Sequence, residues 1–297
     1  MSTPLALAPG TLAVVALPLG NPADITVRAI DVLRAVDLIA AEDTRTARRQ
    51  LCPHGVRATF VSYHDWNEED RARALVDRLA RGQRIALVCE AGTPGISDPG
   101  YDVVRLARLR GMPVVPVPGA CAVTAFLSVC GLPPDAFSFH GFPPSRPSKR
   151  RALFAGLAGR TETLVFYESP RRIVAALGDA LAALGDREAA LGRELTKAHE
   201  EFFFGSLSAI RDALSPRPKV LGEICWGVRG AAEVATAAAV DRDAALAEIR
   251  ASGLPPREAA RELGRRCGLP AKEAYALLVQ GRACAPRTRG RRQGNRI

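Results

Sequence analysis

Three stretches rich in glycine and proline carry the plainest chemical signal: Pro18-Leu19-Gly20-Asn21, Glu90-Ala91-Gly92-Thr93-Pro94-Gly95-Ile96-Ser97-Asp98, and Pro118-Gly119-Ala120. Each follows a short apolar run, Thr11–Leu17, Ile85–Cys89 and Pro113–Val117 respectively, of the kind that forms a buried parallel strand. In an open parallel sheet the ligand crevice lies beyond the carboxyl ends of the strands. Glycine there lacks the Cβ that would keep a ligand off the main chain, and proline fixes the loop. Any one of these loops is ordinary turn chemistry. The three together predict a single pocket walled by backbone.

A second set of residues could move protons or hold phosphates: Glu42, Asp43 and Arg45, His64 and Asp65, Glu168, and Arg193, Glu194 and Lys197. Carboxylates orient a hydroxyl or accept its proton, and cations neutralise phosphates. Each serves equally well as a salt link or a helix cap. Lys197 stands out because the 41 basic residues include only four lysines. Lysine, unlike arginine, can be depressed into a base by burial, which makes Lys197 a candidate for that role beside the carboxylates.

Other chemistries lack their motifs. No two glycines are separated by a single residue, so G-x-G-x-x-G is absent, as are Walker A, G-x-S-x-G and H-E-x-x-H. The four histidines and seven cysteines show neither metal-ligand spacing nor C-x-x-C, so no metal site and no disulfide framework is predicted. A reducing cytoplasm suits such cysteine usage.

The elements that must position these residues read as alternating strands and helices. Ile25–Leu33 reads as a helix, Val36–Ala41 as a strand, Arg71–Arg81 and Asp102–Arg110 as helices. This predicts a doubly wound α/β domain over 1–118. A helix at Ala120–Cys130, strands near Ala136–Gly141, Thr163–Tyr167, Ala189–Glu194 and Gly222–Gly227, and a helix at Arg171–Leu184 predict a second α/β domain over 119–230. Pro143–Arg151 (PPSRPSKRR) reads as an exposed basic loop offering Arg146, Lys149, Arg150 and Arg151. Ala231–Val240 reads as a linker. Three short helices at Asp241–Arg250, Pro255–Cys267 and Pro270–Gly281 resemble a helix-turn-helix module over 231–285, suited to subunit packing or to RNA binding with Arg257, Arg261, Arg265 and Arg266 as phosphate contacts. Net charge is +10, half of it in Arg287, Arg289, Arg291, Arg292 and Arg296 of a tail, 286–297, predicted to be disordered.

The order and wording of Thr11–Thr26, Asp37–Arg45, Ala91–Gly100, Pro118–Ala122, Phe166–Pro170 and Arg193–Lys197 resemble the ribosomal RNA small subunit methyltransferase I family of the tetrapyrrole methylase superfamily. The resemblance runs over nearly the whole chain. It implies two α/β domains holding S-adenosyl-methionine in the cleft between them. It also implies methyl transfer to the ribose 2′-hydroxyl of a cytidine in the decoding region of 16S rRNA, with the small ribosomal subunit as partner, and a homodimer. By this similarity Pro18, Gly20, Asn21, Glu90, Ala91, Gly92, Thr93, Pro94, Ser97, Asp98, Pro118, Gly119, Ala120, Tyr167, Gly222 and Glu223 surround the cofactor. The chain departs from the family at Cys89-Glu90, at Trp66 and at Arg171, where serine-aspartate, histidine and histidine are usual. Two other readings stay open: a corrinoid or porphyrin methylase, and a non-catalytic RNA-binding protein of ribosome assembly.

Overall fold

The computed structural model describes residues 7–63, 68–232 and 242–280 of the chain, which fall into two compact units, one ending at Ala232 and one beginning at Glu233. His64, Asp65, Trp66, nearly all of the expected linker and the arginine-rich tail lie outside the described residues.

The first unit holds two five-stranded sheets. The first sheet comprises β1 (Leu12–Val15), β2 (Leu38–Ala41), β3 (Thr59–Ser62), β4 (Ile85–Val88) and β5 (Val114–Val117) in the order β3-β2-β4-β1-β5, all parallel. Its helices are α1 (Val27–Ala35), α2 (Thr44–Leu51), α3 (Glu68–Ala80) and α4 (Tyr101–Leu109). β2 and β4 are buried along their whole length, which explains why LIAA and IALV run apolar without alternation. One core packs Val32, Leu33, Ile39 and Leu51 on one side, and another packs Leu38, Val76, Leu79 and Leu87 on the other. Asp43 starts α2 by accepting hydrogen bonds from the backbone N–H groups of Arg45 and Thr46.

The second sheet comprises β6 (Phe137–Phe139), β7 (Thr163–Glu168), β8 (Glu188–Arg193), β9 (Glu201–Ser206) and β10 (Ile224–Val228), ordered β6-β7-β10-β8-β9. Only β6 and β7 run parallel. Helices α5 (Ala122–Leu127), α6 (Pro147–Leu157), α7 (Ile173–Leu184) and α8 (Leu207–Leu214) belong to this half. Trp226 is fully buried, stacked on Phe166 at 4.7 Å with Phe154 edge-on to both. A separate apolar cluster joins Leu19, from the loop after β1, to Phe126, Val165 and Leu195 of the second half.

The expected basic loop at Pro143–Arg151 is corrected. From Pro147 the chain is helix α6, entered through a proline at its first position, where a missing N–H costs nothing. Arg150 is 4% exposed and reaches Asp179 of α7 with Nη2 at 2.6 Å and Nε at 2.8 Å, so it ties two helices together and presents no charge to the surface. Arg146 and Lys149 remain exposed, and Arg151 is an exposed second, longer partner of Asp179.

The second unit contains α9 (Arg242–Ala251), α10 (Pro256–Cys267) and α11 (Ala271–Gln280), close to the three helices expected. Ile249, Leu263, Ala274 and Leu278 form its core. No helix among the described residues is long and apolar enough to cross a membrane.

Candidate active site

Hydrogen bonds stitch the three strand-end loops together. Leu17 N–H donates to the Gly92 carbonyl at 2.8 Å, and Gly92 N–H returns a bond to the Leu17 carbonyl at 3.0 Å. Thr93 Oγ1 donates to the Ala120 carbonyl at 3.0 Å. Gln50 of α2 adds a bond to the Glu90 carbonyl at 3.3 Å. Glycine is required at two of these places. Gly92 has a φ of 78°, and a Cβ on Gly119 would lie 2.9 Å from that of Ala16. Ser97 also sits at positive φ, 64°, which costs a non-glycine residue of order 1 kcal/mol and survives where surroundings dictate it.

Against these loops lies a cavity of about 390 Å³ whose opposite wall comes from the second sheet. That is within the usual range for an organic ligand. Of the residues anticipated from sequence, Glu42, Glu90, Ala91, Gly92, Thr93, Ser97 and Asp98 line one bank, and Tyr167, Glu168, Gly222 and Glu223 the other. Pro18, Gly20, Asn21, Pro94, Pro118, Gly119 and Ala120 do not line it. Asn21 instead caps the short turn Pro22–Asp24. Sequence reasoning missed Phe142, Cys121, Leu195, Ile224 and Cys225, which also form the wall. Cross-strand register, visible only in the folded chain, brings two of them there, since Cys225 pairs with Tyr167 and Ile224 with Glu168.

Glu168 ends β7 with its side chain fully buried. Oε1 accepts from Ser169 N–H at 2.7 Å and pairs with the Arg172 guanidinium. Oε2 has no hydrogen-bond partner among the described residues. A buried acceptor left unpaired costs about 1–3 kcal/mol, and since Oε2 is closed to solvent and so to the open cavity, a ligand donor meets it only once the wall over it opens.

The expectation of a depressed Lys197 is corrected. Nζ donates at 2.9 Å to both Glu194 Oε1 and Glu223 Oε2. Burial is the largest single influence and acts downward, but the two carboxylates outweigh it and hold the ammonium above the ordinary lysine value. Burial likewise acts upward on Glu194, and its bonds from Lys197 and from Glu223 N–H bring it below the usual carboxylate range. Glu194 adopts a φ of 55°, and a Cβ on Gly222, itself at 91°, would run into its carboxylate. Lys197 and Glu194 thus shape the Gly222–Glu223 bank without lining the cavity.

Asp43 is the cap of α2, held below its usual pKa by the Arg45 and Thr46 backbone N–H groups, and Arg45 is almost fully exposed. Neither lines the cavity. Arg193 joins Arg217 around Glu201, whose pKa these hydrogen bonds and charges bring down to about 2. Burial raises the Cys89 thiol and the Tyr167 phenol well above their ordinary values, so both stay protonated at neutral pH. Among the described residues no three His, Cys, Asp or Glu are placed to hold a metal ion.

Residues 11–211 match the family described as Tetrapyrrole (Corrin/Porphyrin) Methylases. The chain belongs to the tetrapyrrole methylase family. Within it, the chain is 46% identical over 238 residues to the ribosomal RNA small subunit methyltransferase I of Micromonospora olivasterospora, covering 80% of this chain and 75% of that one. It is 42% identical to the protein of that name from Xylella fastidiosa, covering 76% of this chain and 83% of the relative. Among solved structures, a cobalt precorrin-4 methyltransferase superposes with a TM-score of 0.56 at 16% identity over 74% of this chain and 95% of that one. A diphthine synthase gives 0.56 at 16% identity, over 74% and 90%. At such identities these two speak for the family's fold: two α/β halves, here followed by three further helices.

Proposed function

We propose that the chain is an S-adenosyl-methionine-dependent methyltransferase that methylates the ribose 2′-hydroxyl of a cytidine in the decoding region of 16S rRNA, working in the cytoplasm as a homodimer. In this reading residues 1–118 and 119–230 act as two domains around the methyl donor. The observation that carries it is the cavity of about 390 Å³ between the strand-end loops and the second sheet, with Glu168 in its lining and one oxygen of that carboxylate unpartnered among the described residues. The curated relatives named above support the choice of substrate.

The cavity fits a donor of this kind. The Ala91–Thr93 main chain offers polar groups to such a ligand, and Leu19, Phe142 and Leu195 offer it apolar surface. S-adenosyl-methionine supplies there a sulfonium-activated methyl group open to in-line attack by oxygen. With the acceptor hydroxyl brought against Oε2, Glu168 would accept its hydrogen bond and take up its proton while the methyl passes from sulfur to that oxygen and a neutral thioether is left. Arg172 and Ser169 N–H fix the other carboxylate oxygen and so fix where that acceptor points. Lys197, held as a cation, positions Glu194 and Glu223 at the mouth. Arg146, Lys149 and Arg151 offer exposed charge to flanking phosphates.

The test is titration calorimetry with S-adenosyl-methionine, followed by incubation with small ribosomal subunits and labelled donor and mapping of ribose methylation. Label on one decoding-region cytidine 2′-oxygen is expected. Label on a base, or on an added tetrapyrrole alone, overturns the substrate. Absence of donor binding overturns the enzyme.

A further inference from the structure

The four arginines of α10 do not face the same circumstances. Arg265 is bound to Glu262 through Nε at 3.0 Å and Nη2 at 2.6 Å. Arg266 meets the same carboxylate at 2.9 Å and Glu248 of α9 at 3.0 Å. These bonds bring Glu262 down to about 2, so its charge persists and both guanidinium groups stay partly neutralised. Arg257 and Arg261, one turn apart on the same helix face, make no ion pair among the described residues, and neither does Lys272 of α11. With Glu258, Ala260 and Tyr275 these three cations line an open groove of about 540 Å³ wholly within the helical unit. Three positive charges there oppose one carboxylate. Tyr275 is 45% exposed beside them.

We propose that this groove binds single-stranded RNA, with Arg257, Arg261 and Lys272 on successive phosphates and one base stacked on Tyr275. The inference rests on the rRNA substrate proposed above and assigns part of its recognition to a site apart from the cavity. Uncompensated cations beside an exposed aromatic face are what single strands require, because an unpaired base offers its flat face while its backbone offers charge. A duplex keeps its bases stacked inside and has no use for the ring.

The test measures binding of the full chain, without methyl donor, to a fluorescein-labelled 12-nucleotide single-stranded RNA by anisotropy across a salt series. Each phosphate contact on a single strand contributes about 0.7 to the slope of log affinity against log salt, so removing three cations together (R257A, R261A, K272A) should lower that slope by about 2. Tyr275→Ala should weaken binding about tenfold at unchanged slope, and Tyr275→Phe should restore it. Arg265→Ala with Arg266→Ala should change the slope little. Melting curves check that each variant folds, and Lys272→Ala alone, expected to lower the slope by about 0.7, serves if the triple variant does not. Wild-type affinity and slope in the folded variants overturn the proposal. Polyglutamate displacing RNA equally well through the same residues reassigns the groove to acidic protein. Because no methyl donor is present, a chain that binds RNA here yet transfers no methyl group fails the catalytic reading and leaves this one standing.

Discussion

The aliphatic stem of Lys197 lies so close to the Cα of Gly20 that any Cβ at position 20 would overlap it. This contact joins the loop after β1 to the turn after β8, across the two halves of the first unit. It also gives Gly20 a role different from the one expected from sequence, since the residue does not line the cavity.

Gly20→Ala should therefore destabilise the protein by about 1–3 kcal/mol through overpacking. Combining it with Lys197→Ala should recover part of that loss. A double-mutant cycle by urea unfolding is expected to give a coupling of about 0.5–3 kcal/mol, and strict additivity would show that the two residues do not press on each other.

The Lys197–Glu194 pair sets a pH window. A raised lysine contributes fully below about pH 10.4 and loses its contribution as pH climbs through its higher value in the fold. A lowered glutamate contributes fully above about pH 4.3 and loses it as pH falls through its lower folded value. The difference in melting temperature between wild type and Lys197→Met should thus be flat from about pH 5 to pH 9. A step near neutrality would indicate a lysine titrating as a base after all.

Glu168→Gln should lower kcat for methyl transfer by roughly 10²–10⁴ while leaving donor affinity within a few-fold. Calorimetry and single-turnover kinetics on the same preparation separate these. A variant with normal kcat would remove Glu168 from proton transfer.

Arg150→Ala should cost about 3–5 kcal/mol, because it strands the mostly buried Asp179 carboxylate without its main partner. Arg150→Met with Asp179→Leu should restore most of that stability. RNA affinity, measured well below the melting temperature, should match wild type in both. A selective loss of RNA binding in a stable Arg150 variant would return this side chain to the surface.

Four strands of the first sheet and the three C-terminal helices could be read directly, because β1, β2, β4 and β5 are short apolar runs and Gly-Pro punctuation separates α9, α10 and α11. Helix α2 escaped notice since TRTARRQL is polar throughout and buries only Ala47 and Leu51. β3 and β9 are edge strands, partly exposed, with no clean alternation. α6 reads as a loop in sequence because its basic, proline-rich start conceals a partner 29 residues away. Asp179, a lone acid within the apolar helix IVAALGDALAAL, was the available hint. In the site, glycines and carboxylates announced themselves by type. Phe142, Leu195 and Ile224 did not, since an apolar wall residue looks like any other until the chain is folded.

The bonds among Leu17, Gly92, Thr93 and Ala120 run almost entirely through main-chain atoms. That bank is consequently deaf to most point mutations, which change side chains and leave amides alone. Divergence in what such a protein accepts has to be written on the facing shore, in residues such as Phe142, Tyr167 and Leu195, and engineering for new acceptors should begin there.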